Sequence, residues 1–169
     1  MPPLLLPLEH PALAAPDDQA RLRRLRKLPR RVQQVFLLNR LDQLSFAMIA
    51  ERLAVPVNTV ERHMKHVLQS VQPDTDPLAH DAGHWYVRLQ NPQITASERI
   101  DFRRWLDSAP AHLTAFHATE LRWRSLLAPA QVLGEGHGYR QALPVLSLGG
   151  CSVAIAVLLG TVLTLGFCA

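Results

Sequence analysis

Two short amphipathic stretches on either side of Pro56 constrain the fold of this chain most strongly. In residues 44–53 apolar side chains recur at steps of three and four behind Ser45, a good N-cap, which predicts a helix with one buried face. Pro56 prevents that helix from continuing, because proline lacks the amide hydrogen that a helix interior needs. Residues 57–68 repeat the apolar spacing, so the pattern is typical of a helix-turn-helix. The predicted buried residues are Phe46, Ile49, Ala50 and Leu53, then Val60, Met64, Val67 and Leu68.

A basic segment leads into this motif. Seven of the eleven residues from 21 to 31 are Lys or Arg, and Leu22, Leu25 and Leu28 are spaced three apart. Pro29 suits the first turn of a further helix. We therefore expect another amphipathic helix directly before the motif, with Val32, Val35, Phe36, Leu38 and Asn39 on or beside its inner face.

The charge is divided unevenly between the two polar halves of the chain. Residues 1–72 hold 11 Lys or Arg against 6 Asp or Glu, whereas residues 73–141 hold 7 against 8. The net charge of +4 therefore lies in the half that contains the helix-turn-helix. This is expected if contacts with phosphate supply DNA affinity, although a solvated basic surface would carry the same charge.

The second helix of the motif also has a polar face. Such a face, near a helix N-terminus, enters the major groove in helix-turn-helix proteins. Arg62 suits guanine edges or phosphate and Lys65 suits phosphate; the alternative for each residue is a solvated helix surface. The predicted outward, DNA-binding residues are Asn58, Thr59, Glu61, Arg62, Lys65 and His66.

A family resemblance covers residues 28–68. The run L-P-R-R-V-Q-Q-V-F-L-L-N-R-L-D-Q-L-S-F-A-M-I-A-E-R-L-A-V-P-V-N-T-V-E-R-H-M-K-H-V-L resembles region 4 of extracytoplasmic-function sigma factors, particularly the FecI-like iron-uptake branch. The resemblance implies a domain that reads the −35 promoter element and touches the β-flap of RNA polymerase. Pro56 stands where the family usually has Ser, which alters the N-cap of the second helix. The preceding residues are too few for region 2, so we expect that the chain does not act as a complete sigma factor.

The next segment carries all three tryptophans and predicts three short helices. Residues 73–77 are a polar, proline-bracketed linker. The first helix runs from about Leu78 to Asn91-Pro92, a capping box at Thr95-Ala96-Ser97-Glu98 starts the second, and Ser108-Ala109-Pro110 separates it from the third. About fifty residues make only a marginal core. The predicted inner side chains are Ala82, Trp85, Tyr86 and Leu89; Ile100 or Phe102 with Trp105 and Leu106; and Leu113, Phe116, Leu121, Trp123 and Leu127.

Spacing alone favours a core role for the tryptophans, but a second resemblance adds a binding role. The runs H-W-Y-V-R-L, I-T-A-S-E-R, D-F-R-R-W-L-D-S-A-P-A-H and A-F-H-A-T-E-L-R-W are similar to the cytoplasmic N-terminal domain of FecR-like anti-sigma factors, over residues 78–127. The resemblance implies that this module binds a sigma factor and that one membrane helix follows it. Solvated surface is the alternative for each arginine. The candidate partner-binding residues are Trp85, Arg88, Arg103, Arg104, Trp105 and Trp123.

The C-terminal stretch predicts a membrane span. Residues 142–169 carry no charge, and a helix over residues 145–168 would be ~36 Å long, enough to cross a ~30 Å hydrocarbon core. Arg140 flanks its N-terminal side, so the positive-inside rule places the N-terminus in the cytoplasm of a bacterium, with a single pass through the inner membrane. A FecR-like protein would continue into a periplasmic domain. We therefore expect a separate periplasmic sensing protein as a partner, or a truncated product.

No arrangement of reactive residues predicts chemistry. His80 and His84, four apart, and His63 and His66, three apart, lack a third ligand at metal-site spacing. Nucleophile elbows, Walker loops and dinucleotide fingerprints are absent from the sequence. We expect no catalytic residue, no metal, no cofactor and no enzymatic activity.

Together these patterns predict an all-α protein with a helix-turn-helix domain, a small three-helix module and one C-terminal transmembrane helix. The predicted function is a membrane-tethered transcription regulator of cell-surface signalling, whose partners are promoter DNA, the RNA polymerase core and a sigma region 4 in cis or in trans. A plain membrane-anchored DNA-binding regulator and a remnant of fused sigma and anti-sigma genes are the alternatives. The predicted boundaries are 1–20 disordered leader, 21–72 region 4, 73–130 FecR-like module, 131–143 juxtamembrane linker and 144–168 transmembrane helix.

Overall fold

The computed structural model describes residues 16–72 and 76–141, and within these ranges the chain is entirely helical. The predicted membrane helix at 144–168 lies outside the described residues, as does most of the predicted leader. Among the helices that are described, none is long and apolar enough to span a membrane. The elements are α1 (Pro16–Arg26), α2 (Arg30–Arg40), α3 (Phe46–Leu53), α4 (Val57–Val71), α5 (Pro77–Arg88), α6 (Ala96–Ser108), α7 (Pro110–Ser125), α8 (Leu127–Gly134) and a 3₁₀ turn (Gly138–Arg140).

Helices α3 and α4 form the predicted helix-turn-helix. The Ser45 hydroxyl accepts a hydrogen bond from the Met48 amide at 3.3 Å, so the predicted N-cap is confirmed. Ala54 ends α3 in the left-handed conformation with φ 51°, and Pro56 then caps α4 without a side-chain hydrogen bond. All eight side chains predicted to be buried in these two helices are buried.

Helix α1 begins earlier than expected. The predicted disordered leader extended to residue 20, whereas α1 starts at Pro16. Its first turn holds Asp17 and Asp18 and its last turn is basic, which complements the helix dipole. The buried Leu22 and Leu25 hold α1 against α4 and α8.

The three helices of the tryptophan module begin and end close to their predicted bounds. Asp76 caps α5 by accepting from the Leu78 amide at 3.0 Å. The capping box at Thr95 and Glu98 is confirmed at the start of α6, and Pro110 opens α7.

The inner faces of α6 and α7 were predicted less well. Within the described part of the chain, α6 contributes no buried residue. Leu113, Leu121 and Leu127 were expected inside but are exposed, and Leu121 keeps 64% of its surface. Of the alternatives Ile100 and Phe102, Ile100 is exposed and Phe102 is partly buried. The physical reason is that α6 packs mainly against α7 at the edge of the molecule, so there is no second layer to cover these side chains.

One hydrophobic core serves both halves of the described chain. Trp123 of α7 is 7% exposed and meets the Phe36 ring edge-on, with ring centroids 5.7 Å apart and planes at 83°. Tyr86 of α5 lies 5.9 Å from the same indole, and the Arg40 guanidinium lies over it at 5.5 Å. Val87, Trp123, Leu126 and Ala130 belong to the same buried cluster as the side chains of α2–α4. Residues 76–141 therefore depend on residues 16–72 for their core.

This shared core predicts one cooperative unfolding transition. Trp123→Ala should lower the free energy of unfolding by about 3–5 kcal/mol, the usual cost of removing a buried aromatic side chain. Leu121→Ala, on the same helix but exposed, is the matched control and should change it by less than about 0.5 kcal/mol. Urea titration of the full chain by circular dichroism measures both. Two separate transitions, with Trp123→Ala affecting one alone, would contradict a shared core.

Candidate functional site

The exposed polar face of α4 is narrower than predicted. Asn58, Arg62 and His66 are exposed, and their spacing of four residues places them in one stripe. Thr59 and Lys65 are partly buried on either side of this stripe. Five of the six predicted DNA-binding residues thus keep some exposure, and their DNA contacts stay a prediction.

A basic groove lies between α4 and the start of α2. It has a volume of about 480 Å³. Burial, together with the charges of Arg62, Arg31 and His66, lowers the pKa of His63. Arg31, Arg62 and Lys65 in its lining are cationic side chains of the kind that contact phosphate, and such contacts stay a prediction. Its lining residues are Pro29, Arg31, Val32, Arg62, His63, Lys65, His66 and Gln69.

The sixth predicted residue, Glu61, faces the opposite way. The sequence placed it outward, but it is 7% exposed because α5 covers this flank of α4. Its carboxylate accepts hydrogen bonds from Arg88 Nη1 at 2.9 Å and from Asn91 Nδ2, and it pairs with Lys65 Nζ at 2.8 Å. Burial alone would raise the pKa of Glu61, but the hydrogen bonds from Lys65, Asn91 and Arg88 outweigh it and hold that pKa below its usual value.

Arg88 joins three helices through its guanidinium. Nη1 donates to Glu61 of α4, while Nε and Nη2 donate to the two oxygens of Glu98 at 2.8 and 3.0 Å. Glu98 is also the capping-box residue of α6. Arg88 was expected to be exposed; its side chain is instead largely covered by these contacts. The same charge network therefore orders the α5–α6 corner and ties it to α4.

The other predicted partner-binding residues fall into three groups. Trp123 contacts the N-terminal half through Phe36 and Arg40. Trp85 and Trp105 are half-buried along α5 and α6, in a row of aromatic rings that ends where Trp105 stacks on His112 at 4.7 Å. Arg103 and Arg104 are exposed, and their partner contacts stay a prediction.

Sequence reasoning missed a second set of contacts between the two halves. Asp42 accepts hydrogen bonds from Tyr139 and Arg140, and Gln34 donates to backbone carbonyls of the same segment. A polar residue at position 34, among the apolar residues of α2, was the one local signal for this contact. Residues 131–143 were predicted to be a juxtamembrane linker, whereas the structure places residues 134–140 against α2.

Comparison with known proteins identifies both halves. The family model described as Sigma-70, region 4 matches residues 19–71, which cover nearly all of α1 and end with α4. The model described as Domain of unknown function (DUF4880) matches residues 80–121, within α5–α7. No curated protein and no solved structure matches the chain. The chain therefore carries a sigma-70 region 4 domain, a non-enzymatic DNA-binding module, followed by DUF4880, the cytoplasmic N-terminal domain of FecR.

Proposed function

We propose that this protein is a membrane-tethered transcription regulator in which the FecR-like domain captures the region 4 of its own chain. The observation that carries the proposal is the burial of Glu61, on the second helix of the helix-turn-helix, beneath Arg88 and Asn91. Region 4 implies contacts with promoter DNA and RNA polymerase, and the FecR-like domain suggests binding to a sigma factor. Both partners of an anti-sigma interaction are then present in one polypeptide.

Two different contacts support capture rather than simple tethering. The apolar contact between Trp123 and Phe36 removes an aromatic side chain from water, which favours association without specifying its register. The polar contact is specific, because a forked guanidinium satisfies two carboxylates in one geometry. A mere spacer would need neither contact. These contacts favour capture over the plain membrane-anchored regulator.

Capture also changes the charge that α4 offers to DNA. In the captured form the Lys65 ammonium is paired with Glu61, and Glu61 is itself held by the FecR-like domain. Arg62, Asn58 and His66 stay accessible. The captured protein therefore retains part of a DNA-binding face, and release of the FecR-like domain uncovers the Glu61 flank beside it.

The cellular setting is part of the proposal. Residues 144–168 anchor the protein in the bacterial inner membrane with its N-terminus in the cytoplasm. A separate periplasmic sensing protein supplies an iron-uptake signal, and proteolysis near the membrane releases region 4 to read a −35 element and to engage the β-flap of RNA polymerase. Supporting this setting are the uncharged C-terminal stretch and the FecR-like domain before it.

Severing the linker tests capture. With a protease site placed at residues 73–75 of the full chain, the two fragments should remain associated after cleavage, as judged by size-exclusion chromatography. Arg88→Met should weaken this association by at least tenfold, because it leaves the buried Glu61 and the partly buried Glu98 without their shared cation. Arg99→Met, which removes an exposed arginine from the same domain, is the control and should leave the association intact. Fragments that separate without any substitution would rule out capture.

Acid should weaken the same association. Against its burial, the pKa of Glu61 is lowered by Lys65, which stays beside it after separation, and by Asn91 and Arg88, which do not. The contribution of Asn91 and Arg88 to the association is present above the ordinary carboxyl pKa and is lost as the pH falls through the lowered value. The cleaved wild-type fragments should therefore dissociate more readily at pH 4 than at pH 7. Glu61→Gln should remove most of this difference, and an undiminished pH dependence in that variant would assign the effect to another group.

Arg62 tests the DNA-binding face. With a duplex selected from a random pool by the cleaved chain, Arg62→Ala should lower the affinity about tenfold or more, since a side chain on a base edge discriminates by about 1–3 kcal/mol. Arg99→Ala, an exposed arginine of the FecR-like domain, should have no effect. Fluorescence anisotropy at a fixed salt concentration measures both. Equal affinities for wild type and Arg62→Ala would exclude this residue from the interface.

A further inference from the structure

Residues 134–141, which we call the strap, follow the segment that matches the FecR-like model and close over region 4. The strap leaves α8 at Gly134, turns through Gly136 and His137, both with positive φ, and ends in the 3₁₀ turn. It lies against α2 and reaches the α2–α3 corner at Asp42. The family comparisons assign no role to it.

The backbone of the strap is held by a buried amide of region 4. Gln34 is 3% exposed, and its Nε2 donates to the carbonyl oxygens of Tyr139 at 2.7 Å and of Gln141 at 2.6 Å. The Arg31 guanidinium donates to Gln34 Oε1 at 3.0 Å, which fixes the orientation of the amide. Arg52 of α3 donates to the Arg140 carbonyl at 3.1 Å. Region 4 thus binds the carbonyls of three consecutive residues of the strap, 139–141, as a peptide-binding surface does.

The side chains of the strap are held by one carboxylate. Asp42 accepts from Arg140 Nη2 at 2.6 Å, from Arg140 Nε at 3.1 Å and from the Tyr139 hydroxyl at 3.0 Å. The Arg140 guanidinium also lies 5.7 Å from the centroid of the Tyr139 ring. A single acidic side chain therefore binds the side chains of an adjacent tyrosine and arginine.

The entry of the strap is equally close-fitting. A Cβ at Gly134 would lie 2.6 Å from Leu41 Cδ1, so α8 lies close to the end of α2 and a larger residue would require the Leu41 side chain to shift. Beyond this point the contact loosens, because an open cavity of about 300 Å³ lies between α2 and the strap, lined in part by Arg30, Gln33 and Leu37. A segment anchored at its two ends over an open cavity can leave with the loss of few apolar contacts, chiefly those of Tyr139 with the core.

We propose that the strap is a displaceable intramolecular ligand, and that the surface it covers, formed by Gln34, Leu41, Asp42 and Arg52, binds a polypeptide segment carrying an aromatic residue followed by arginine. The strap excludes such a segment for as long as it stays docked. Its position next to residues 142–169 couples it to the membrane anchor, and this coupling rests on the proposed function. The binding surface itself does not rest on the proposed function.

A peptide tests the proposal on the full chain. The probe is a fluorescent synthetic peptide of residues 133–141. Arg140→Glu reverses the charge that faces Asp42, so the strap should undock and the peptide should bind this variant at least tenfold more tightly than wild type. Arg99→Glu, an exposed arginine on α6, is the control and should bind the peptide as wild type does. Adding Asp42→Arg to the Arg140→Glu chain should abolish binding of the wild-type peptide.

Hydrogen exchange provides the second readout. In Arg140→Glu the amides of residues 137–141 should exchange faster while those of α5 and α7 stay protected, which separates an open strap from an unfolded chain. Equal peptide binding by wild type and Arg140→Glu, or unchanged exchange in the strap, would overturn the proposal. Failure of capture would appear differently, as fragments that separate after cleavage at residues 73–75 although the peptide still binds.

Discussion

The structure depends on the burial of Trp123 against Phe36. The FecR-like domain places the Trp123 indole of α7 on a phenylalanine of region 4. Tyr86 of α5 and the Arg40 guanidinium of α2 cover this indole. Because α6 contributes nothing buried in the described chain, this domain does not close a core of its own. Val87, Trp123, Leu126 and Ala130 reach low exposure in the core that they share with region 4.

The polar contacts decide which surfaces meet. Burial of aromatic area is not directional, whereas Glu61, Arg88 and Glu98 satisfy one another in a single arrangement of α4, α5 and α6. Removing one member would leave a buried charge, which costs more than the intact network contributes. The strap combines an apolar and a polar contact in the same way near the α2–α3 corner. Gly134 allows close packing against Leu41, and Asp42 binds Arg140 specifically. Region 4 is thus held on two sides by the segments that follow it.

The sequence predicted local structure well because its signals are local. Ser45, Pro56, the Thr95–Glu98 capping box and Pro110 each act within one helical turn, and the helix bounds they predict agree with the structure. Periodicity also identified the buried face of α3 and α4, where the helices cover each other.

The contacts between the halves were less predictable. Helical spacing separates two faces but does not say which neighbour covers the polar one, so Glu61 was placed outward with Arg62. The reverse error placed Leu113 and Leu121 inside, because a three-helix module was expected to be self-sufficient. Asp42 and Arg140 are far apart in sequence and have no local pattern that pairs them. Such contacts depend on the docking of whole helices.

Capture in cis is the central claim, and cross-linking in intact membranes measures it directly. The native Cys151 and Cys168 are replaced by serine, Gln69→Cys on α4 and His80→Cys on α5 are introduced together, and a short bifunctional thiol reagent is added. In the structure Gln69 Nε2 and His80 Nε2 lie 3.2 Å apart on the surface. Asn58→Cys with His80→Cys is the control, since Asn58 lies roughly 16 Å before Gln69 along α4. Capture in cis predicts a cross-link within one chain for the first pair and little cross-linking for the control. The two substitutions are also placed on separate chains that are expressed together. A cross-link that forms only between such chains would show capture in trans. No cross-link, either within one chain or between chains, would contradict capture altogether.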